Sequence, residues 1–170
     1  DFTELVRTAR DRGMRVIMDL VVNHTSDQHP WFQEARRSRD SRFREFYVWR
    51  DEIPADGPQG EGFPGEQGGL WDWDPAAGQY YLHRFHGHQP DLNVASAAVR
   101  EEIRKIIGFW LQQGLSGFRV DAVPFLLEVD GAAEEMELEP HDYLRDLRAF
   151  LGRRCGDAVL LGEVNLPAEE

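Results

Sequence analysis

Three acidic residues, Asp19, Asp121 and Glu163, each stand towards the end of a short apolar run, and Arg119 lies two residues before the second of them. In Gly117-Phe118-Arg119-Val120-Asp121-Ala122-Val123 the apolar positions alternate with the charged ones, the pattern of a short buried strand. Side chains two apart on a strand share a face, so one guanidinium and one carboxylate point the same way. Charge within an apolar strand is costly unless water or a substrate reaches it. A structural ion pair at a strand end is one reading of Arg119 and Asp121; a reactive site is the other. Three such acids suit two chemistries. In retaining glycoside transfer, one carboxylate attacks an anomeric carbon while a second, its pKa raised, protonates the leaving oxygen about 5–5.5 Å away. Arg119 would then keep Asp121 ionised, and His24 could donate hydrogen bonds to sugar hydroxyls. In metal-dependent proton abstraction, the acids would hold Mg²⁺ beside a Lys or His base. The only lysine, Lys105, falls in the middle of a helical pattern, and Arg119 would repel a divalent cation, so this chemistry ranks second.

The elements that must position these groups alternate. Phe2, Leu5, Val6 and Ala9 recur at helical spacing and Gly13 supplies a stop. Arg15–Val22 is almost continuously apolar, as a strand buried on both faces of a parallel sheet would be. Ser96 is placed to cap a helix whose stripe is Val99, Ile103, Ile106, Ile107, Trp110 and Leu111, ending at Gly114. The Arg119/Asp121 strand follows, then an acidic loop (Glu134, Glu135, Glu137). Next comes a helix with Tyr143, Leu144, Leu147, Phe150 and Leu151 inward, closed by Gly156, and a last strand at Val159–Glu163. This order predicts an α/β fold of parallel strands joined by crossover helices.

Between about Thr25 and Ala95 the composition changes. Gly and Pro crowd together, and Trp31, Trp49, Trp71 and Trp73 all fall here. Such a stretch is too long for a plain loop and too aromatic for disorder. It is expected to be an inserted subdomain, with Gln79–Phe85 as a strand and with tryptophans that pack in its core or stack on sugar faces.

A net charge of −12 argues against nucleic acid and anionic membrane as partners. One cysteine, Cys155, allows no internal disulfide and suits a reducing compartment such as the cytoplasm. No apolar run is long enough to span a bilayer.

Three segments carry a resemblance. Asp19-Leu20-Val21-Val22-Asn23-His24, Gly117-Phe118-Arg119-Val120-Asp121 and Gly162-Glu163-Val164 are similar, in order, to the first three motifs of the α-amylase superfamily, glycoside hydrolase family 13. The resemblance implies part of a (β/α)₈ TIM barrel: residues 1–24 and 96–170 would supply strands three to five with their helices, and residues 25–95 the inserted domain B. It implies Asp121 as nucleophile, Glu163 as general acid/base and Arg119 as support for the nucleophile, with Asp19 and His24 lining a glucose subsite. Gln89-Pro90-Asp91-Leu92-Asn93 is similar to an auxiliary motif of oligo-1,6-glucosidases and trehalose synthases, which implies a small α-glucoside such as maltose as substrate. Trehalose synthase chemistry, maltose to trehalose through a glucosyl-enzyme, is the nearest likeness. The general-acid segment departs from that group's Ala-Glu-Ala-Asn, reading Gly162-Glu163-Val164-Asn165. A hydrolase, or a homologue that binds sugar without catalysis, remains a further reading. No organic cofactor is implied. A structural Ca²⁺ is, held by Asn23, Asp91, the backbone of Phe125 and Leu126, and Glu128.

Overall fold

Asp1 opens the first helix by accepting from the Glu4 backbone N–H at 2.9 Å, and α1 runs over Phe2–Asp11. Gly13, at φ +74°, ends it, with Gly13 and Met14 N–H groups returning to Arg10 and Ala9 carbonyls. The computed structural model describes residues 1–54, 69–127 and 140–164. Its chain divides into two compact units: Asp1–Val21 with Arg100–Glu128 and Leu138–Glu170, and Val22–Val99 with Val129–Glu137. Among the described residues the elements after α1 are β1 (Met18–Leu20), α2 (Pro30–Arg37), β2 (Trp49–Arg50), β3 (Trp71–Asp74) and β4 (Gln79–Leu82). Then follow α3 (Ala97–Gln112), β5 (Gly117–Val120), α4 (Val123–Leu127), α5 (Pro140–Arg154) and β6 (Val159–Gly162). The acidic loop expected near Glu134 lies outside the described residues.

In the first unit, β1, β5 and β6 form a parallel sheet with β5 in the middle, as the helix–strand alternation predicts. Its register places Asp19 beside Arg119 and Arg119 beside Leu161. Gly117 is required by that pairing: a Cβ there would meet the Val159 carbonyl oxygen at 2.1 Å. One face is dry: Leu20, Phe118 and Val120 are at most 4 % exposed. Burying each such side chain contributes about 1.5–3 kcal/mol. The opposite face is uncovered among the described residues. Ile17, Val21, Val159 and Leu161 are 40–49 % exposed, because no described element packs over them. That open face carries Asp19 and Arg119. Asp121 and Glu163 each sit one residue past a strand end.

The helices keep most of their expected stripes. Val99, Ile103 and Ile107 of α3 are buried, whereas Ile106 is 37 % exposed; Tyr143, Leu147, Phe150 and Leu151 of α5 are buried. The Ser96 hydroxyl does not cap α3: it is buried and makes no hydrogen bond. Gly114, at φ +98°, ends the α3 turn against Val6 of α1, and Phe2 packs edge-on to Trp110 with ring centroids 5.0 Å apart.

The second unit holds an antiparallel sheet ordered β2-β4-β3. The expected strand at 79–85 stops at Leu82. Its partners β2 and β3 were not legible in the sequence, one being two residues long and the other, Trp-Asp-Trp-Asp, rich in a residue strands disfavour. Asp74 turns the β3–β4 hairpin by accepting from Ala76 and Ala77 backbone N–H groups, and Arg36 neutralises it at 2.9 Å. Phe32 centres the core, stacked on Trp49 and edge-on to Tyr47 and Tyr81. Trp49 and Trp71 are thus core residues, Trp31 packs on Phe43 and Phe46, and Trp73 is 51 % exposed.

Candidate active site

Parallel pairing stacks the carboxyl ends of neighbouring strands, so residues just past β5 and β6 emerge side by side. Asp121 follows Val120, Glu163 follows Gly162, and those two are register partners. Ala122, at φ +53°, turns the chain straight into α4, so the backbone changes direction directly behind Asp121. An alanine in this left-handed conformation costs about 1–2 kcal/mol, and such strain gathers where geometry matters more than local stability.

One guanidinium joins the acids. Arg119 lies 3.1 Å from Asp19, 2.8 Å from Glu163 and 3.8 Å from Asp121. Asp121 and Glu163 are close enough for each to influence the other's titration. The side chains stay within reach of water, with Arg119 at 37 %, Asp121 at 26 % and Glu163 at 34 % exposure. Two carboxyls this close and sharing one cation titrate as a pair.

Arg119 favours the ionised form of Asp121, as expected, but other influences act against it. Burial, then the hydrogen bond to Glu163 and its charge, push Asp121 above the usual carboxylate range, against the pull of Arg119. Glu163 is held below its ordinary value, first by the hydrogen bond from Asp121 and then by Arg119, with burial opposing. The guanidinium is nearer to Glu163 than to Asp121, so its pull on Glu163 is the stronger.

His24 belongs to the second unit, where it pairs in an isolated bridge with Asp91. Its ring lies between two amides, Asn23 at 3.3 Å from Nδ1 and Gln89 at 3.1 Å from Nε2, with Phe85 5.2 Å away. Burial first, then the neighbouring His86 and His88, lower its pKa, which favours the neutral imidazole. Behind it, Asn23 donates to Asp91 at 3.2 Å and Arg84 pairs with Asp91 at 3.0 Å. Arg84 and Gln89 carry no recognisable signal as partners of these groups; only the fold brings them there.

The model of the "Alpha amylase, catalytic domain" family matches residues 1–170. The chain belongs to the alpha-amylase family. It is 44 % identical over 165 residues to a trehalose synthase of Pimelobacter sp., covering 97 % of this chain and 29 % of that protein. It is 43 % identical over 152 residues to an oligo-1,6-glucosidase of Halalkalibacterium halodurans, covering 89 % of this chain and 27 % of that one. Among solved structures, an alpha-amylase from H. orenii superposes with a TM-score of 0.82 at 32 % identity, covering 99 % of this chain and 32 % of that one. The chain therefore spans less than a third of the length of these relatives. Within the alpha-amylase family, the parallel β1-β5-β6 sheet is part of a (β/α)₈ barrel. Among the described residues no helix is long and apolar enough to cross a membrane.

Of the residues named for calcium, Asn23 and Asp91 are side by side in one unit. Phe125 and Leu126 belong to the other unit, and Glu128 lies outside the described residues. Asp91 is the test of fit. It is 1 % exposed, and burial pushes its carboxyl up to about 6 even with Arg84 beside it. Asn23 turns its amide nitrogen to this carboxylate at 3.2 Å, so a hard cation there would need that side chain to flip and further oxygen ligands to join it. Among the described residues no three His, Cys, Asp or Glu side chains gather around a metal position.

Proposed function

We propose that the full-length protein carrying this chain acts on small α-glucosides by double displacement, with Asp121 as nucleophile, Glu163 as general acid/base and Arg119 positioning both. The observation that carries this reading is the three-acid contact of Arg119, with Asp121 and Glu163 side by side past neighbouring strand ends. A sugar entering between the two carboxyls separates them, with Asp121 as the free carboxylate and Glu163 carrying the proton. Asp121 then attacks the anomeric carbon as its bond to the glycosidic oxygen breaks, and Glu163 delivers a proton to that oxygen. In the second half, Glu163 takes the proton of an acceptor hydroxyl, which attacks the same carbon and releases Asp121. Asp19 and His24 serve as hydrogen-bond partners for sugar hydroxyls. Asn23 and Asp91 would help to hold a calcium ion, which would supply structural charge only.

The acceptor decides the reaction. Likeness to a trehalose synthase at 44 % identity supports isomerisation of maltose to trehalose. Likeness to an oligo-1,6-glucosidase at 43 % identity supports a second reading, with water as acceptor. Product analysis of the full-length protein with maltose separates them. Trehalose formed faster than glucose is expected, whereas glucose alone establishes the hydrolase. Turnover of neither maltose nor an isomaltose-type substrate overturns both and leaves a homologue that only binds sugar.

A further inference from the structure

Outside the acid cluster, an open groove of about 790 Å³ in the second unit is lined by Arg39, Arg42, Arg44, Arg50, Glu45 and Trp49, among others. Four cations facing one acid run against a chain whose net charge is −12. Arg39 is paired with Asp51 at 3.0 Å. Arg42, Arg44 and Arg50 have no carboxylate at ion-pair distance among the described residues. Each is nevertheless oriented. The Arg42 guanidinium lies 4.4 Å over the Phe43 ring, and that of Arg44 lies 3.9 Å over Trp49 while donating to the Ala35 carbonyl at 2.7 Å. Arg50 donates to the Trp49 carbonyl at 3.0 Å. Arg44 also donates to the Gln79 side-chain oxygen, whereas Arg42 and Arg50, stacked or singly bonded, keep most of their five N–H donors for something else. Crowding shows at Arg44, whose pKa is lowered by burial and then by the charge of Arg39.

We infer that this groove binds a small organic phosphate, a sugar phosphate in preference to inorganic phosphate. Planar guanidinium forks match phosphate oxygens in pairs, and charge-assisted bonds of this kind are about twice as strong as neutral ones. The groove's volume falls in the range of small-molecule sites, leaving space for the organic part of an ester beyond the anion itself.

The test is calorimetric titration of the full-length protein with glucose 6-phosphate, inorganic phosphate and glucose. Glucose 6-phosphate is expected to bind in the sub-millimolar range, roughly tenfold tighter than inorganic phosphate, which corresponds to about 1.4 kcal/mol. Glucose serves as the uncharged control and is expected to leave this groove empty, its heat unchanged by the variants below. Replacing Arg42→Ala with Arg50→Ala is expected to weaken glucose 6-phosphate at least tenfold while maltose turnover is kept; Arg42→Glu alone provides a second variant with a single exposed change. No binding at about 10 mM, or affinity unchanged in both variants, overturns the site. Equal affinity for the ester and for inorganic phosphate overturns the preference for a sugar phosphate.

Discussion

Two arginine–carboxylate contacts of nearly equal length serve different ends in this molecule. Arg119 meets Glu163 at 2.8 Å and Asp19 at 3.1 Å with its side chain 37 % exposed, whereas Arg84 meets Asp91 at 3.0 Å with both side chains at most 8 % exposed. Water decides the difference. At the open sheet end, charges are screened and the balance among three neighbouring acids sets where a proton rests. In the buried pair, loss of solvation outweighs the ion pair itself, so Asp91 is pushed up to about 6 beside a cation. An accessible cluster is suited to exchange protons with a ligand; a desolvated pair is suited to hold chain segments together.

The sharpest way to break this comparison is Asp121→Asn in the full-length protein. Turnover of maltose is expected to fall about 10⁴-fold or more, with little change in melting temperature, because the group is half exposed and its loss removes covalent chemistry. Retained turnover in a steady-state assay would remove Asp121 from the mechanism. Glu163→Gln is expected to cost about 10²–10⁴-fold on maltose. The loss should be much smaller for a glucoside whose leaving group needs no proton, measured by release of an activated phenol. Equal losses on both substrates would count against a proton-donor role.

At the buried site the expected effect is on folding. Arg84→Met leaves Asp91 uncompensated and should lower stability by about 3 kcal/mol or more, read from denaturant unfolding. A loss below about 0.5 kcal/mol would mean that the pair behaves like a surface contact.

Smaller effects sharpen the contrast. Arg119→Gln removes the cation that helps hold Glu163 below its ordinary value, so the alkaline limb of the pH–rate profile, where the proton donor ionises, should move to higher pH. The sign follows from the charged form of Glu163 losing its stabiliser; an alkaline limb that stays in place would show that Arg119 does not tune the proton donor. Chelation of calcium from the full-length protein should lower its stability by about 1–3 kcal/mol, restored by added Ca²⁺ and absent in Asp91→Asn. Identical melting curves with and without chelator would leave Arg84 as the sole counter-charge of Asp91.

Much of the sheet could be read beforehand because its signals are local. Helical spacing in Phe2–Ala9 and in α5, and alternation around Arg119, survive in the structure since each depends on neighbours a few residues away. Burial is not local. Ile17 and Leu161 are as apolar as Leu20 and Phe118, yet they lie on the open face. The aromatic segment showed that a subdomain was needed but not which strands would pair, since β2 and β3 become strands only through β4.

By itself the sequence determined which groups are available for chemistry: an arginine and three acids at the ends of apolar runs, in an order that alternating helices and strands turn into one parallel sheet. Only the tertiary structure decided how they share charge. Arg119 favours Glu163 over Asp121 by 1 Å, and Asp91 and Arg84 are both withdrawn from water. Electrostatic energy depends on separation and on solvent access, and neither is written in the spacing of residues along a chain.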